Sequence, residues 1–456
     1  ALGYCMAQDR LFQMELWRRL AGGELAEVLG PPLVGIDKIA RAFHLRYHAE
    51  RSITETYSKH PEILAAAEAF VTGINHCMEK EPLPFEYTAL LIPVRPFTVE
   101  DCLTVAALLP ISFSDALRED VLCAMLKERL PNMDVDTLFP GYSKEIPVTV
   151  METLEEAADY VTKAPPRPVN RPGTVQKTQD RLMPFLAGLK QLRDFFGPAW
   201  GSNSWVLAAS RSKSGKPILA NDPHIGFTSP GIWYEAHLQY EGVNTYGYFA
   251  PLVPFPLLGQ NADCAWGLTM FANDDTDFYR ETFQPGNPFK VMYKGTWTDV
   301  EMAEETIKVR LGADQPYTVR VTPHGPVVTD LFRLIHGYNG PDISMYWIWQ
   351  HVDYTDIAAF YEMLHARNTD DFAHAVSLIT SPGINVSCAD RQGNIAWWAG
   401  GRILIRPDHV NSKQVLDGAS GNDDPLGFVP FEQNPHLLNP PCGYVVTANN
   451  LSTVNP

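Results

Sequence analysis

In the first third of the chain, apolar residues recur at helical spacing. Gln8 to Leu20 sets Leu11, Met14 and Leu20 near one face with charges elsewhere, which predicts an amphipathic helix. Gly22-Gly23 breaks it, and Glu24 to Leu29 predicts a short second piece ended by Gly30 and Pro31-Pro32. Pro61 to Met78 repeats the pattern, with Pro61 in the first turn. Thr98-Val99-Glu100-Asp101 supplies capping residues for a helix through Leu103 to Leu109, and Ala116 to Leu130 continues helical. Residues 163–200 lose the pattern. Lys163-Ala164-Pro165-Pro166-Arg167-Pro168 and Arg171-Pro172-Gly173 read as exposed linker, followed by one short amphipathic piece, Leu182 to Phe196. Beyond it the texture becomes β. Strands are predicted over 204–209, 217–220, 234–240, 242–249, 264–270, 317–322, 343–351 and 395–399, with a tight turn at Asp390 to Asn394 and one helix from Asp370 to Leu378. Helices first and strands later predict an α+β protein with layered sheets, not a βαβ wind.

The bulk numbers narrow the classes. At 456 residues the chain exceeds one simple core, so one very large domain or two to three smaller ones are expected. Hydrophobic residues make up 45% and charged residues 20%, as in soluble globular proteins. A net charge of -17 disfavours nucleic acid and anionic membrane surfaces, and no basic cluster carries interleaved aromatics. No apolar run approaches the ~18 residues of a membrane span. Seven scattered Cys without a C-x-x-C argue against a disulfide framework and against a Cys-based zinc site. No signal peptide is visible before Ala1-Leu2-Gly3, although one could have been removed.

Most familiar catalytic patterns are missing. There is no G-x-S-x-G elbow and no H-E-x-x-H helix. Ser214-Gly215-Lys216 is followed by Pro217 where a phosphate loop needs Ser or Thr. The 13 His are mostly single, so a Ser nucleophile would need another base. Gly201-Ser202-Asn203-Ser204-Trp205 offers one. The Ser202 hydroxyl could attack the Gly201 carbonyl, shift the acyl group from N to O, and let water release a new N-terminus. The freed α-amine would then serve as the base for the same residue's hydroxyl. From these five residues alone, an ordinary Ser ahead of a strand is much the stronger reading, and 163–200 reads as an interdomain linker or, more sharply, as a removable spacer ahead of Ser202.

Several ordered stretches decide between these readings. Ala7-Gln8-Asp9-Arg10-Leu11-Phe12-Gln13-Met14-Glu15 and Leu25-Ala26-Glu27-Val28-Leu29-Gly30 come first. Ser202-Asn203-Ser204-Trp205-Val206, Ala220-Asn221-Asp222-Pro223-His224, Gly259-Gln260-Asn261, Ala265-Trp266-Gly267 and Asp274-Asp275-Thr276-Asp277 follow. Gly393-Asn394-Ile395 and Thr447-Ala448-Asn449-Asn450 close the set. Together, in order and across nearly the whole chain, they resemble the penicillin acylase family of N-terminal nucleophile hydrolases.

The resemblance implies an αββα four-layer core with two antiparallel sheets and an added α-helical portion. It implies a self-cleaving precursor: 1–162 as an α-chain, 163–201 as an excised spacer and 202–456 as a C-terminally incomplete β-chain, giving an αβ heterodimer. Ser202 matches the nucleophile, cleaved from Gly201, and its α-amine matches the base, with a reference pKa of ~7.7–8.0. Asn449 matches the side-chain oxyanion donor and Met270 the backbone N–H donor. His224 matches the residue that orients the new amine. Glu119, Asp274, Thr276 and Asp277 match the ligands of one structural calcium ion; no organic cofactor is implied. Leu109, Phe113, Ile225, Leu258, Trp349 and Ile384 match the acyl pocket, although each fits plain core packing equally well.

Two departures matter. Ile225 and Leu258 stand where phenylacetyl-binding members carry aromatic residues, so the pocket should admit aliphatic acyl chains. A further Arg and a further calcium carboxylate are expected beyond Pro456. The implied activity is hydrolysis of linear N-acyl amides, with penicillin-type side chains and N-acyl homoserine lactones both open, in the periplasm or outside the cell. The competing expectation is a non-catalytic, calcium-stabilised binding or scaffold relative of the same fold.

Overall fold

The computed structural model describes residues 1–113, 120, 123, 148–150, 201–330 and 341–453. The predicted helix over Leu182 to Phe196, the stretch 163–200 and most of the predicted helix over Ala116 to Leu130 lie outside them.

The N-terminal part is helical: α1 (Leu2–Gly22), α2 (Val34–Ala42), α3 (Leu45–Glu55), α4 (Pro61–Lys80), α5 (Val99–Ala106) and α6 (Leu108–Phe113). Helix α1 starts six residues earlier than its apolar pattern predicts, because Gly3, Met6 and Ala7 extend its buried side. Thr98 and Asp101 form the predicted reciprocal cap of α5. Helices α2 and α3 were not predicted; their short periods are interrupted by buried polar residues such as Asp37 and His48.

The motif Ala7 to Glu15 lies on α1. Its Glu15 carboxylate is buried and bound by Arg18 at 2.5 Å, Arg19 at 2.6 Å and the Tyr87 hydroxyl at 3.1 Å. Arg18 continues to the carbonyls of Arg95 and Pro96. A buried charge of this kind is tolerable only when paired and hydrogen-bonded.

The later part is mainly β: β1 (Gly201–Leu207), β2 (Ile218–His224), β3 (Tyr234–Tyr240), β4 (Val243–Phe249), β5 (Leu258–Gln260), β6 (Cys264–Met270) and β7 (Thr276–Glu281). After these come β8 (Asp342–Trp347), helices α7 (Asp356–His365) and α8 (Thr369–Ser377), β9 (Ile384–Asp390), β10 (Ile395–Gly400), β11 (His436–Leu438) and β12 (Tyr444–Thr447). The predicted strand 317–322 pairs, as Gln315–Thr322, with Glu301–Ile307. The predicted strand 343–351 stops at Trp347 and turns into a helical segment, Ile348–His351. The strand predicted over 217–220 instead runs on through Asn221, Asp222, Pro223 and His224.

Two sheets carry the site. One is three-stranded in the order β2-β1-β12, and the other is seven-stranded in the order β11-β10-β9-β6-β5-β4-β3. All pairs within both are antiparallel. A cluster of Val206, Ala389, Ile395, Trp397, Ala399 and Val445 joins residues of the two sheets in one apolar layer. Helix α8 covers the seven-stranded sheet, with Phe372 5.8 Å from Trp266 and 6.3 Å from Trp398. The molecule is thus α+β, with helices against antiparallel sheets.

One core runs through both parts. Met6, Leu11 and Trp17 belong to the same buried cluster as Trp266, Trp347 and Phe372. Polar ties cross as well: Arg10 and Gln13 donate to the Gly231 carbonyl, Arg310 to the Val28 carbonyl and Gln350 to the Phe43 carbonyl. Among the described residues no helix is long and apolar enough to cross a membrane.

Candidate active site

Strand β1 lies between β2 and β12, and Ser202 is its second residue. Alternation along β1 buries Ser202, Ser204 and Val206 and turns Asn203 and Trp205 outward. The register with β12 pairs Ser204 with Thr447. Continued past the end of β12, it sets Asn449 opposite Ser202.

Asn449 does not extend the strand. Its backbone adopts the left-handed region at φ 61, a conformation Asn tolerates better than most residues. Its side chain then takes over the pairing. Nδ2 donates to the Ser202 carbonyl at 2.7 Å, and Oδ1 accepts the Met270 backbone N–H at 3.2 Å. Met270 ends β6, and its carbonyl accepts from Asn385 Nδ2 at 2.6 Å. Behind it, the hydroxyls of Thr269 and Thr447 are 2.9 Å apart, tying β6 to β12. Ser202, Met270 and Asn449 are therefore together, although they span 247 residues of sequence.

Gly201 precedes them at φ 126, in a region that favours glycine. A Cβ there would lie 2.7 Å from Asn449 Nδ2. Gly201 and the Asn449 carboxamide are thus packed without room for a methyl group.

His224, expected to orient the new amine, lies on the face of β2 opposite to the Ser202 side chain. It pairs with Gly201 in the register, while Ser202 pairs with Pro223, so the His224 ring shares a face with Asn203 and Asp222. Its Nε2 lies 3.0 Å from Asp222 Oδ2 and 3.2 Å from Asn203 Nδ2. The period-2 rule that buries Ser202 sends His224 to the other face.

An apolar cavity of about 80 Å³ opens beside Ser202 and Met270. Of the residues matched to an acyl pocket, Ile225, Leu258 and Ile384 line it, joined by Trp233, Leu268 and Phe360. Trp349 does not line it. It is buried one layer behind, with its ring 5.4 Å from that of Tyr354, which does. The side chains of Leu109 and Phe113 lie outside the described residues, though Pro110 of the same helix reaches the cavity. Asp356 also borders it. Burial pushes its carboxyl up to about 7, against hydrogen bonds from the Thr380 hydroxyl and backbone N–H.

The acidic run lies just past the cavity. Asp277 is fully buried, and Arg406 donates to both its oxygens at 3.2 and 3.0 Å and to the Asp274 carbonyl at 2.8 Å. Burial pushes the Asp277 carboxyl up to about 6; Arg406 pulls it back, while Asp274 and Asp275 add to the rise. Asp120 acts on the same guanidinium. Several carboxylates thus face one cation. Glu119 lies outside the described residues, and among those described no three His, Cys, Asp or Glu side chains are grouped for a metal ion. The residues fit a hard cation by donor type and excess negative charge, but any ion would share Asp277 with Arg406.

Residues that motif reading did not single out complete the site. Asn221 and Gly267 sit inside quoted motifs, but their roles depend on which strands meet. Asn385 has no motif at all and is identified only by its bonds to Met270 and Thr269.

Comparison with known proteins follows the same lines. The family model "Penicillin amidase" matches residues 1–456. The chain is 26% identical to the acyl-homoserine lactone acylase QuiP of Pseudomonas aeruginosa, over 100% of this chain and 52% of that protein. It is 26% identical to the penicillin G acylase of Escherichia coli, over 98% and 56%. It is 28% identical to the penicillin acylase 2 proenzyme of Pseudomonas sp. (strain SE83), over 99% and 55%. Among solved structures, a thermostable penicillin G acylase from Alcaligenes faecalis superposes with a TM-score of 0.51 at 28% identity, covering 56% of this chain and 45% of that one. The chain spans about half the length of the curated relatives it matches.

Proposed function

The chain belongs to the penicillin amidase family, and from that premise we propose that it is a self-processing hydrolase of linear N-acyl amides, acting through an acyl-Ser202 intermediate on an αββα core. One observation carries the reading. The Asn449 carboxamide bonds both the Ser202 carbonyl and the Met270 N–H, and Ser202 and Met270 line an apolar cavity.

In the first step the Ser202 hydroxyl attacks the Gly201 carbonyl. The C–N bond breaks, an ester forms, and water releases the Gly201 carboxylate and the Ser202 α-amine. In catalysis that amine takes the hydroxyl proton as Oγ attacks the substrate carbonyl, then passes it to the leaving amine. The oxyanion accepts from Met270 N–H and Asn449 Nδ2. For this the Asn449 Oδ1 must release the Met270 N–H it holds at rest. Losing one such donor costs roughly two to three powers of ten in rate. Water then cleaves the acyl ester.

Ile225, Leu258, Leu268 and Ile384 favour an aliphatic acyl group. Penicillin-type amides and N-acyl homoserine lactones both present a linear amide to this cavity. We place the reaction in the periplasm or outside the cell and the mature protein as two chains, which fractionation and denaturing gels check. A structural calcium ion would be held by Asp274, Asp277 and Glu119 with the Thr276 carbonyl, supplying positive charge to a cluster that Arg406 alone leaves acidic.

The decisive test replaces Ser202 by Ala and follows both N-terminal sequence and amide hydrolysis. Both are expected to vanish. Retention of either overturns the proposal, and a single uncut mature chain favours the non-catalytic scaffold instead. A panel of phenylacetyl, hexanoyl and dodecanoyl amides should show preference for an aliphatic member; strong preference for phenylacetyl would sink the pocket argument.

A further inference from the structure

Strand β6 has a gap at its edge. Its neighbour β5 pairs with it only at Gly259↔Trp266 and Gln260↔Ala265. At Leu268, two residues before the Met270 N–H, no β5 rung follows. A buried backbone N–H or C=O without a partner is costly.

The Asn221 side chain fills this gap. Its Oδ1 accepts the Leu268 N–H at 2.9 Å, and its Nδ2 donates to the Leu268 carbonyl at 2.9 Å. A carboxamide carries the donor and acceptor of a peptide group, so it stands in for one residue of a strand. The second Nδ2 hydrogen goes to the Asn203 carbonyl at 2.8 Å. Asn203 follows the nucleophile directly. One side chain of β2 therefore binds the strand that carries Ser202 and the strand that carries the backbone oxyanion donor.

Gly267 makes the approach possible. A Cβ at that position would lie 2.7 Å from the Asn221 Cβ and 2.9 Å from its Cγ. Any side chain there would push the carboxamide off Leu268.

We infer that Asn221 is a positioning residue for acyl transfer: its three hydrogen bonds set the distance between Ser202 and the Met270 N–H across the two sheets. It touches neither substrate nor reacting atoms. The inference rests on the acyl-Ser202 reading above and adds the residue that keeps that geometry.

The test uses the whole processed protein with a hexanoyl p-nitroanilide as probe. Asn221→Ala and Gly267→Ala are compared with the unaltered protein and with Ser202→Ala. Rates are counted per Ser202 N-terminus, so incomplete maturation does not enter. A misplacement of about 1 Å costs roughly a hundredfold in kcat, with KM little changed. That split, with a melting temperature close to the unaltered protein's, is the expected result for both variants. If Asn221→Ala fails to fold, Gly267→Ala decides alone, because it keeps every Asn221 atom and only displaces them. Undiminished kcat in either folded variant overturns the inference, as does a loss shared between kcat and KM that follows falling thermal stability. No Ser202-dependent hydrolysis in the unaltered protein overturns the acyl-transfer reading itself, and this inference with it.

Discussion

Gly201 is the residue at which the cutting step and the catalytic step can be separated. It belongs to the bond that would be cut, and its backbone and its lack of a Cβ both fit around Asn449. Gly201→Ala forces a side chain into a positive-φ position against the donor. Strain of ~1–3 kcal/mol there should slow self-cleavage by about one to two powers of ten. In the proposed processing Gly201 leaves with the spacer, so the activity of whatever mature enzyme forms should be unchanged per Ser202 N-terminus. Following precursor conversion on gels beside kcat measures both, and equal loss in the two would contradict the separation. The sequence singled out Ser202 and Asn449 by their types and order and Met270 by position alone, and the fold brings the three together. The face that His224 takes, beside Asn203 and Asp222, was not legible, because a motif gives spacing along the chain and not the face of the strand.

At the scale of elements, His324 joins several pieces of the β region. Its Nδ1 lies 2.9 Å from Glu281 of β7 and its Nε2 3.1 Å from Asp424, while Tyr279 stacks on the ring at 4.0 Å. Asp424 also meets Lys294 and Tyr293. Burial disfavours the charged ring, but the two carboxylates outweigh it and raise its pKa above the ordinary value. A histidine shifted upward stabilises the fold fully below the unfolded pKa of about 6.5 and loses that contribution as pH rises through the raised value. Urea midpoints should therefore fall from pH 6.5 into the alkaline range, and His324→Gln should flatten that slope; an identical slope in the variant would remove His324 as its source. This network was invisible in the sequence, where His324 lies 43 residues from Glu281 and 100 from Asp424. Strands and caps with clean periods were read well, as with β3, β6 and α5. Asn221 to His224 were missed as strand because Pro and Asp disguise the pattern, and α2 and α3 because buried polar residues do the same.

At the scale of the molecule, the helical and β parts share one core, so their cohesion does not depend on the covalent link between them. The proposed calcium site would add to that cohesion, since Glu119 belongs to the first part and Asp274 and Asp277 to the second. Excess EDTA should lower the melting temperature or block maturation, and calcium should restore it. An unchanged melting temperature with normal processing would remove the ion from the account. The sequence carried the α+β class through its change of period and carried the family through its ordered motifs. It could not carry the pairing of β1 with β12, because the partners are more than two hundred residues apart.

The placement of the cut has a mechanical meaning. Of the seven residue pairs between β1 and β2, only Gly201↔His224 lies ahead of the proposed cut. The four pairs between β1 and β12 all lie behind it. A cut there would unpick one rung at the selvedge of the sheet and leave the new end woven in by the rest.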